Sequence, residues 1–205
     1  MNEQTKISVI RINSMRVIYV SIICSLIFLE AAPRELIPHS KTEFTYINKK
    51  GEYSEFDLTG KDFILVSVRE EESDGRFYAV DRDGTVWLSG GISSGEEKGF
   101  TPSGKWKVLW KKRFYTSKQY PEEDGSNNMD FSLFFTQWGH ALHKGNIHST
   151  SHGCIHVKHE DIQVLYKWAD VGMPVLMTRH RYMRFARPDL RRIYTNVKAY
   201  TRKGK

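Results

Sequence analysis

Phe63-Ile64-Leu65-Val66-Ser67-Val68 is a short apolar run rich in β-branched residues. A run of that length, bounded by charged residues, predicts a strand rather than a helix. Phe77 to Val80 and Thr85 to Leu88 flank Asp81-Arg82-Asp83-Gly84, a turn signal that joins them as a hairpin. Lys105 to Trp110 alternates polar and apolar residues after a second turn signal, Thr101-Pro102-Ser103-Gly104, and reads as one more strand. Phe131 to Phe135, Ala141 to His143 and Val175 to Thr178 extend the series. Helical spacing appears at Ile162, Leu165, Tyr166 and Ala169, with Glu160 and Asp161 in the first turn and Gly172 as the stop. The prediction is a mainly β (β-rich α+β) body with one helix. Lys111 to Asn128 is polar and aperiodic, which suits a lid over a site.

The 205 residues, 40% hydrophobic, suffice for one folded domain with extensions. Residues 61–180 form that domain in this reading. Residues 33–60 are mixed and polar and read as a linker or N-terminal arm. The net charge of +7 is unevenly spread. Arg179 to Lys205 holds ten Lys or Arg against the single acid Asp189, a net +9, so the rest of the chain carries −2. A nearly neutral body gives no footprint for nucleic acid. Residues 181–205 read as a basic tail, either simply solvated or meeting an anionic polymer or membrane.

At the other end, Arg11 and Arg16 precede an apolar run from Val17 to Leu29, followed by Ala31-Ala32-Pro33. Thirteen residues are short for a membrane span, which needs about 20. Residues 1–32 therefore read as a signal peptide or an uncleaved N-terminal anchor, placing the protein in the periplasm or cell envelope. Cleavage would remove Cys24 and leave Cys154 as the one cysteine. No intramolecular disulfide is then available, and a lone thiol in an oxidising compartment points to chemistry.

Cys154 closes the run Ser151-His152-Gly153-Cys154, with His140, His143, His148, His156 and His159 nearby. Imidazole and thiolate are zinc ligands, but one cysteine and these spacings fit no structural zinc site. Cysteine acyl transfer fits better. A histidine lowers the thiol pKa and takes its proton, and amides around Gly153 and Cys154 serve as oxyanion donors.

The chain resembles the L,D-transpeptidase catalytic domain family (the YkuD-like fold). That family's signature is a histidine, a spacer, Ser/Thr-His-Gly-Cys, a hydrophobic residue and Asn or Arg. Here it reads His143, seven residues from Lys144 to Thr150, then Ser151-His152-Gly153-Cys154-Ile155-His156. Thr101-Pro102-Ser103-Gly104 resembles the family's Thr-Pro-x-Gly turn, and Ile92-Ser93-Ser94-Gly95 its Val-Ser-x-Gly segment. The resemblance covers about Lys61 to Thr178 and implies a β-sandwich or barrel body with a helix after the cysteine. It implies Cys154 as nucleophile and His143 as base, oriented by a backbone carbonyl such as that of Lys144. His152, Gly153 and Ser151 would build the oxyanion hole or its frame. His140 is the second candidate base, and His156, Lys144 and His140 are candidates for orienting substrate. No metal or cofactor is implied. The implied reaction acylates Cys154 with a peptidoglycan tetrapeptide stem and passes the acyl group to an amine. A hydrolase on the same fold and a non-catalytic wall-binding module are the alternatives, the latter disfavoured by an intact Cys154 and His143. The chain departs from the pattern at His156, and at Phe131, where a tyrosine is frequent; Tyr115 or Tyr120 could supply that hydroxyl.

Overall fold

The computed structural model describes residues 34–118 and 127–203, with side chains as far as Ile193. The expectations for residues 1–32 and for Tyr120 fall outside the described residues. Among those described, a small antiparallel sheet contains β1 (Glu35–Pro38), β2 (Glu43–Ile47) and β3 (Tyr53–Asp57). A nine-stranded sheet contains β4 (Phe63–Ser67), β5 (Arg76–Val80), β6 (Val86–Ser93), β7 (Gly104–Lys107), β8 (Trp110–Lys112), β9 (Ser132–Phe134), β10 (Ala141–Lys144), β11 (Ile155–Val157) and β12 (Pro174–Thr178). Two helices accompany the strands, α1 (His159–Trp168) between β11 and β12 and α2 (Met183–Lys203) after β12.

The spatial order is β7-β12-β4-β5-β6-β11-β10-β9-β8. The two outermost strands, β7 and β8, are separated in the chain by only Val108 and Leu109. A flat sheet cannot satisfy that link, so the sheet curls until its edges approach. Val108 N–H donates to Met173 O at 2.9 Å beside β12, and Leu109 N–H donates to Phe134 O at 2.7 Å on β9. Lys105 to Trp110, expected as one strand, is thus two strands on opposite edges of a curled half-barrel. The mainly β fold class stands.

Strand β4 shows why its sequence is an unbroken apolar run: all five residues are buried, on both faces. Ile64 and Val66 pack with Phe77, Ala79, Leu142, Ile155 and the α1 residues Ile162 and Leu165. Phe63 and Leu65 point the other way, against Leu36, Phe44, Leu58, Tyr182 and Ala186. Burying one such side chain fully is worth about 1.5–3 kcal/mol.

That second core adds to two expectations. Residues 33–60, read as a linker or N-terminal arm, contain β1 to β3, with Leu36 and Phe44 buried. Within the basic stretch 181–205, Tyr182, just before α2, and Ala186 and Leu190 on α2 are buried in this core at helical spacing. The first turn of α2 is held by the Asp74 carboxylate, which accepts the N–H groups of Tyr182 at 2.5 Å and Met183 at 2.7 Å. Unpaired amides and the helix dipole both favour an anion there. Asp189 anchors the helix further along, accepting Val86 N–H at 3.0 Å and Lys41 Nζ at 2.9 Å. Among the described residues, no helix is long and apolar enough to cross a membrane.

Candidate active site

Strands β10 and β11 are parallel neighbours, with His143 registered against His156. Parallel neighbours need a connection that returns the chain to the start of the first strand. Gly145 to Cys154 make that return, which delivers Cys154 to the N-terminal end of β11. Its Sγ lies 3.8 Å from Gly139 O, just before β10. Cys154 and His143 line one cavity of about 590 Å³ with His140, His152 and His156.

Hydrogen bonds to backbone hold the loop that carries Cys154. Ser151 Oγ donates to Cys154 O at 2.6 Å and accepts Gly153 N–H at 3.0 Å. The Gly153 amide, expected as an oxyanion donor, is therefore already engaged, and Ser151 is the clasp of the turn. Gly153 has φ +123°, and a Cβ there would fall 2.5 Å from Phe100 O and 2.8 Å from the His140 ring. Only glycine fits this turn. Thr101 Oγ1 accepts Gly95 N–H and donates to Gly153 O, both at 3.0 Å. One hydroxyl thus ties together the three segments that carry the family resemblance. Arg179 fixes Thr101 in turn, donating to its carbonyl at 3.0 Å, to Ser103 Oγ, and to Glu70 Oε1 at 3.0 Å.

His143 is buried, and its Nδ1 lies 2.7 Å from Lys144 O. A carbonyl only accepts, so Nδ1 carries the proton and the neutral ring keeps its lone pair on Nε2. Burial, with the neighbouring His156 adding to it, pushes the His143 pKa down to about 3. Cys154 packs against an apolar cluster of Met129, Phe134 and Ala141, and burial pushes its thiol up to about 11. The sequence reading expected a lowered thiol pKa; this pocket does the opposite. The resting pair is thiol and neutral imidazole, because an apolar surround penalises both charged forms.

His156 meets His143 edge to face, with ring centroids 5.0 Å apart. Its Nδ1 sits 3.1 Å from Asn146 O and 3.2 Å from Ser149 O, so it donates into the connecting loop. Gly145 permits this packing: a Cβ there would fall 2.6 Å from the His156 ring. The ring nitrogens of His140 are engaged, Nδ1 with Thr136 Oγ1 at 2.9 Å and the other side facing the Phe100 carbonyl. Its ring lies beside Gly153, where a Cβ would fall 2.8 Å from it. Lys144 contributes its carbonyl to His143, and its N–H donates to Asp130 O at 2.9 Å.

Phe131 is buried, packs on the rings of His159 and Tyr166, and has φ +58°, an unusual backbone for a bulky residue. Tyr115 packs edge-on against Phe134. The segment expected as a lid contributes Ser117, Asn127 and Asn128 to the cavity rim, and residues 119–126 fall outside the described residues. A larger cleft of about 1120 Å³, with Glu71, Glu72, Glu96 and Lys98 on its walls, meets the Cys154 cavity at Trp138. Among the described residues, no group of three or more His, Cys, Asp or Glu is placed to hold a metal ion. Sequence reasoning missed Arg179, whose partners are distant in the chain, and missed that Trp138 is 65% exposed.

The chain was compared with known proteins. No curated protein matches it. An L,D-transpeptidase from Stackebrandtia nassauensis is 24% identical, with 59% of this chain and 57% of that one covered and a TM-score of 0.49. An Enterococcus faecium L,D-transpeptidase is 22% identical over 57% of this chain and 49% of its own, at a TM-score of 0.47. One from Mycobacterium smegmatis is 18% identical, with 68% of each chain covered and a TM-score of 0.49. The chain thus spans only about half the length of the first two. The family model of the L,D-transpeptidase catalytic domain matches residues 61–177, more than half of the 205 residues, and takes in β4 to β12 almost whole. The chain belongs to the L,D-transpeptidase catalytic domain family.

Proposed function

We propose that this protein is an exported cysteine L,D-transpeptidase acting on peptidoglycan stem peptides. The observation that carries the reading is the pinning of His143 Nδ1 by Lys144 O in a cavity shared with Cys154. Nε2 is thereby the nitrogen available to a substrate-bound thiol. In the first half-reaction Nε2 takes the Sγ proton and sulfur attacks the carbonyl carbon of the third stem residue. The nearest backbone donor not held by Ser151 is the Cys154 amide, which meets the oxyanion. Collapse breaks the C–N bond to the terminal D-alanine, whose amine receives the proton from His143, and leaves a thioester. An acceptor amine then attacks the thioester, loses its proton to His143, and Cys154 leaves and is reprotonated.

Keeping the pair neutral until substrate arrives suits an enzyme in an oxidising compartment, because a resting thiol is far less reactive than a thiolate. His156 holds the 146–149 loop and buttresses the His143 ring, taking the position where the family pattern has Asn or Arg. The carboxylates of Glu71, Glu72 and Glu96 beside the cavity suit an incoming amine better than they suit water, which favours transfer over hydrolysis. The basic residues of α2 dock the enzyme on anionic wall polymer or membrane. Purified protein incubated with a tetrapeptide muropeptide tests the reading. Cross-linked dimers that vanish in Cys154→Ala support it, tripeptide alone indicates hydrolysis, and no change with either protein overturns it.

A further inference from the structure

Trp138 stands at the tip of the tight turn between β9 and β10, where Gly139 N–H donates to Thr136 O at 3.4 Å and Phe135 N–H to His140 O at 3.0 Å. Trp138 leaves a large aromatic surface 65% exposed on this turn. Its ring is braced by Trp106, edge to face at 6.3 Å and 81°. Trp106 is itself fixed, donating Nε1–H to Pro102 O at 3.1 Å, with the Arg34 guanidinium 5.1 Å from its ring centre. The two indoles form a rigid corner.

Both indoles line a pocket of about 570 Å³ together with the apolar Leu109 and Pro174 and the polar Lys105, Lys107 and Gln137. Apolar walls with polar groups among them match a pyranose ring. Its C–H face lies on an aromatic surface while its hydroxyl and acetamido groups reach outward to donors and acceptors. Trp138 lines this pocket and also the Cys154 cavity, so one side chain faces both. Cys154 Sγ lies 3.8 Å from the carbonyl of Gly139, the residue after Trp138. Three extended residues span about 10–11 Å. A stem acylating Cys154 through its third residue would therefore place its glycan end within reach of the indole corner.

We infer that the Trp106–Trp138 corner and its pocket form a subsite for an N-acetylated sugar of the glycan strand that bears the donor stem. This rests on the transpeptidase reading of the cavity, and the test separates the two. Acylation of Cys154 is followed by intact mass with two donors, the free tetrapeptide and the same peptide on its disaccharide. Trp138→Ala should raise the concentration giving half-maximal rate about tenfold more for the disaccharide donor than for the free peptide, and Trp138→Phe should recover that difference. Binding of the peptide-free disaccharide is followed in parallel by shifts of the indole N–H signals, which need no turnover. Shifts in wild type that disappear in Trp138→Ala support the subsite even if no donor acylates Cys154, an outcome that would sink only the transpeptidase reading. Equal loss on both donors, or no disaccharide shift in wild type, overturns the subsite.

Discussion

The two faces of the central strand β4 are covered in different ways. On the side of Ile64 and Val66, the sheet continues to β10 and β11 and to a loop held by a few directed hydrogen bonds at Ser151, Thr101 and Lys144. On the side of Phe63 and Leu65, the cover is apolar area from β1 to β3 and α2, with Leu36, Phe44, Tyr182 and Leu190 buried. Directional bonds fix where a reacting atom sits; apolar area fixes only that two elements stay together. The first face tolerates few side chains at each position, and the second tolerates many of similar volume.

The largest expected effect is on the first face. His143→Gln should lower kcat by about 10²–10⁴-fold and shift unfolding free energy by less than about 1 kcal/mol, measured by muropeptide turnover and denaturant titration. A loss of stability matching the loss of activity would erase the contrast. Leu190→Ala is the converse: about 2–4 kcal/mol of stability lost, with kcat at 25 °C near wild type. Thr101→Val removes the hydroxyl between Gly95 and Gly153 at unchanged shape and strands a partly buried donor and acceptor. It should cost about 1–3 kcal/mol and also lower kcat, since the loop bearing Cys154 loses its tie. If only stability moves, Thr101 is scaffold alone.

The smallest effect is a slope. An unfolded imidazole titrates near 6.5, whereas His143 is pushed down to about 3 by burial. Between those values the unfolded chain binds the extra proton, so stability falls as pH drops below about 6.5. This group contributes about 1.4 kcal/mol per pH unit until the folded form also protonates. Thermal melts of His143→Gln should be flatter than wild type from pH 6 to pH 4. Parallel slopes would mean that the acid sensitivity lies elsewhere, with His140 and His156, both also lowered by burial, as the next groups to test.

The same contrast explains what the sequence discloses. The first face is legible because hydrogen-bonding turns demand particular residue types: glycine at 153, small hydroxyls at 101 and 151, a histidine at 143. The apolar cover demands only spacing. Tyr182, Ala186 and Leu190 carry a helical period, but Arg181, Arg184, Arg187, Arg191 and Arg192 crowd the same stretch and give it the look of a charged tail. Leu36 and Phe44 sit in strands of four and five residues with polar outer faces, too short for a clear alternation. Lys105 to Trp110 shows the opposite failure, where a clean alternation hides a break at Val108 and Leu109 because periodicity says nothing about which sheet edge a strand joins. The pKa of Cys154 was equally hidden, since it depends on Met129, Phe134 and Ala141, which the fold assembles around it.

The two-residue link between β7 and β8 also orders events in time. In the sheet, β7 pairs with β12, and β12 alone joins it to β4. Lys105 to Lys107 must therefore wait for Pro174 to Thr178 before they have a partner, although β8, two residues on, is already committed to the opposite edge beside the thiol. Closure of the curl is a long-range event that the local hairpin β5–β6 cannot initiate, and such contacts form slowly. During synthesis Met129, Phe134 and Ala141, which bury the Cys154 thiol, are made before it, so its surround does not depend on the late strand β12 that closes the curl.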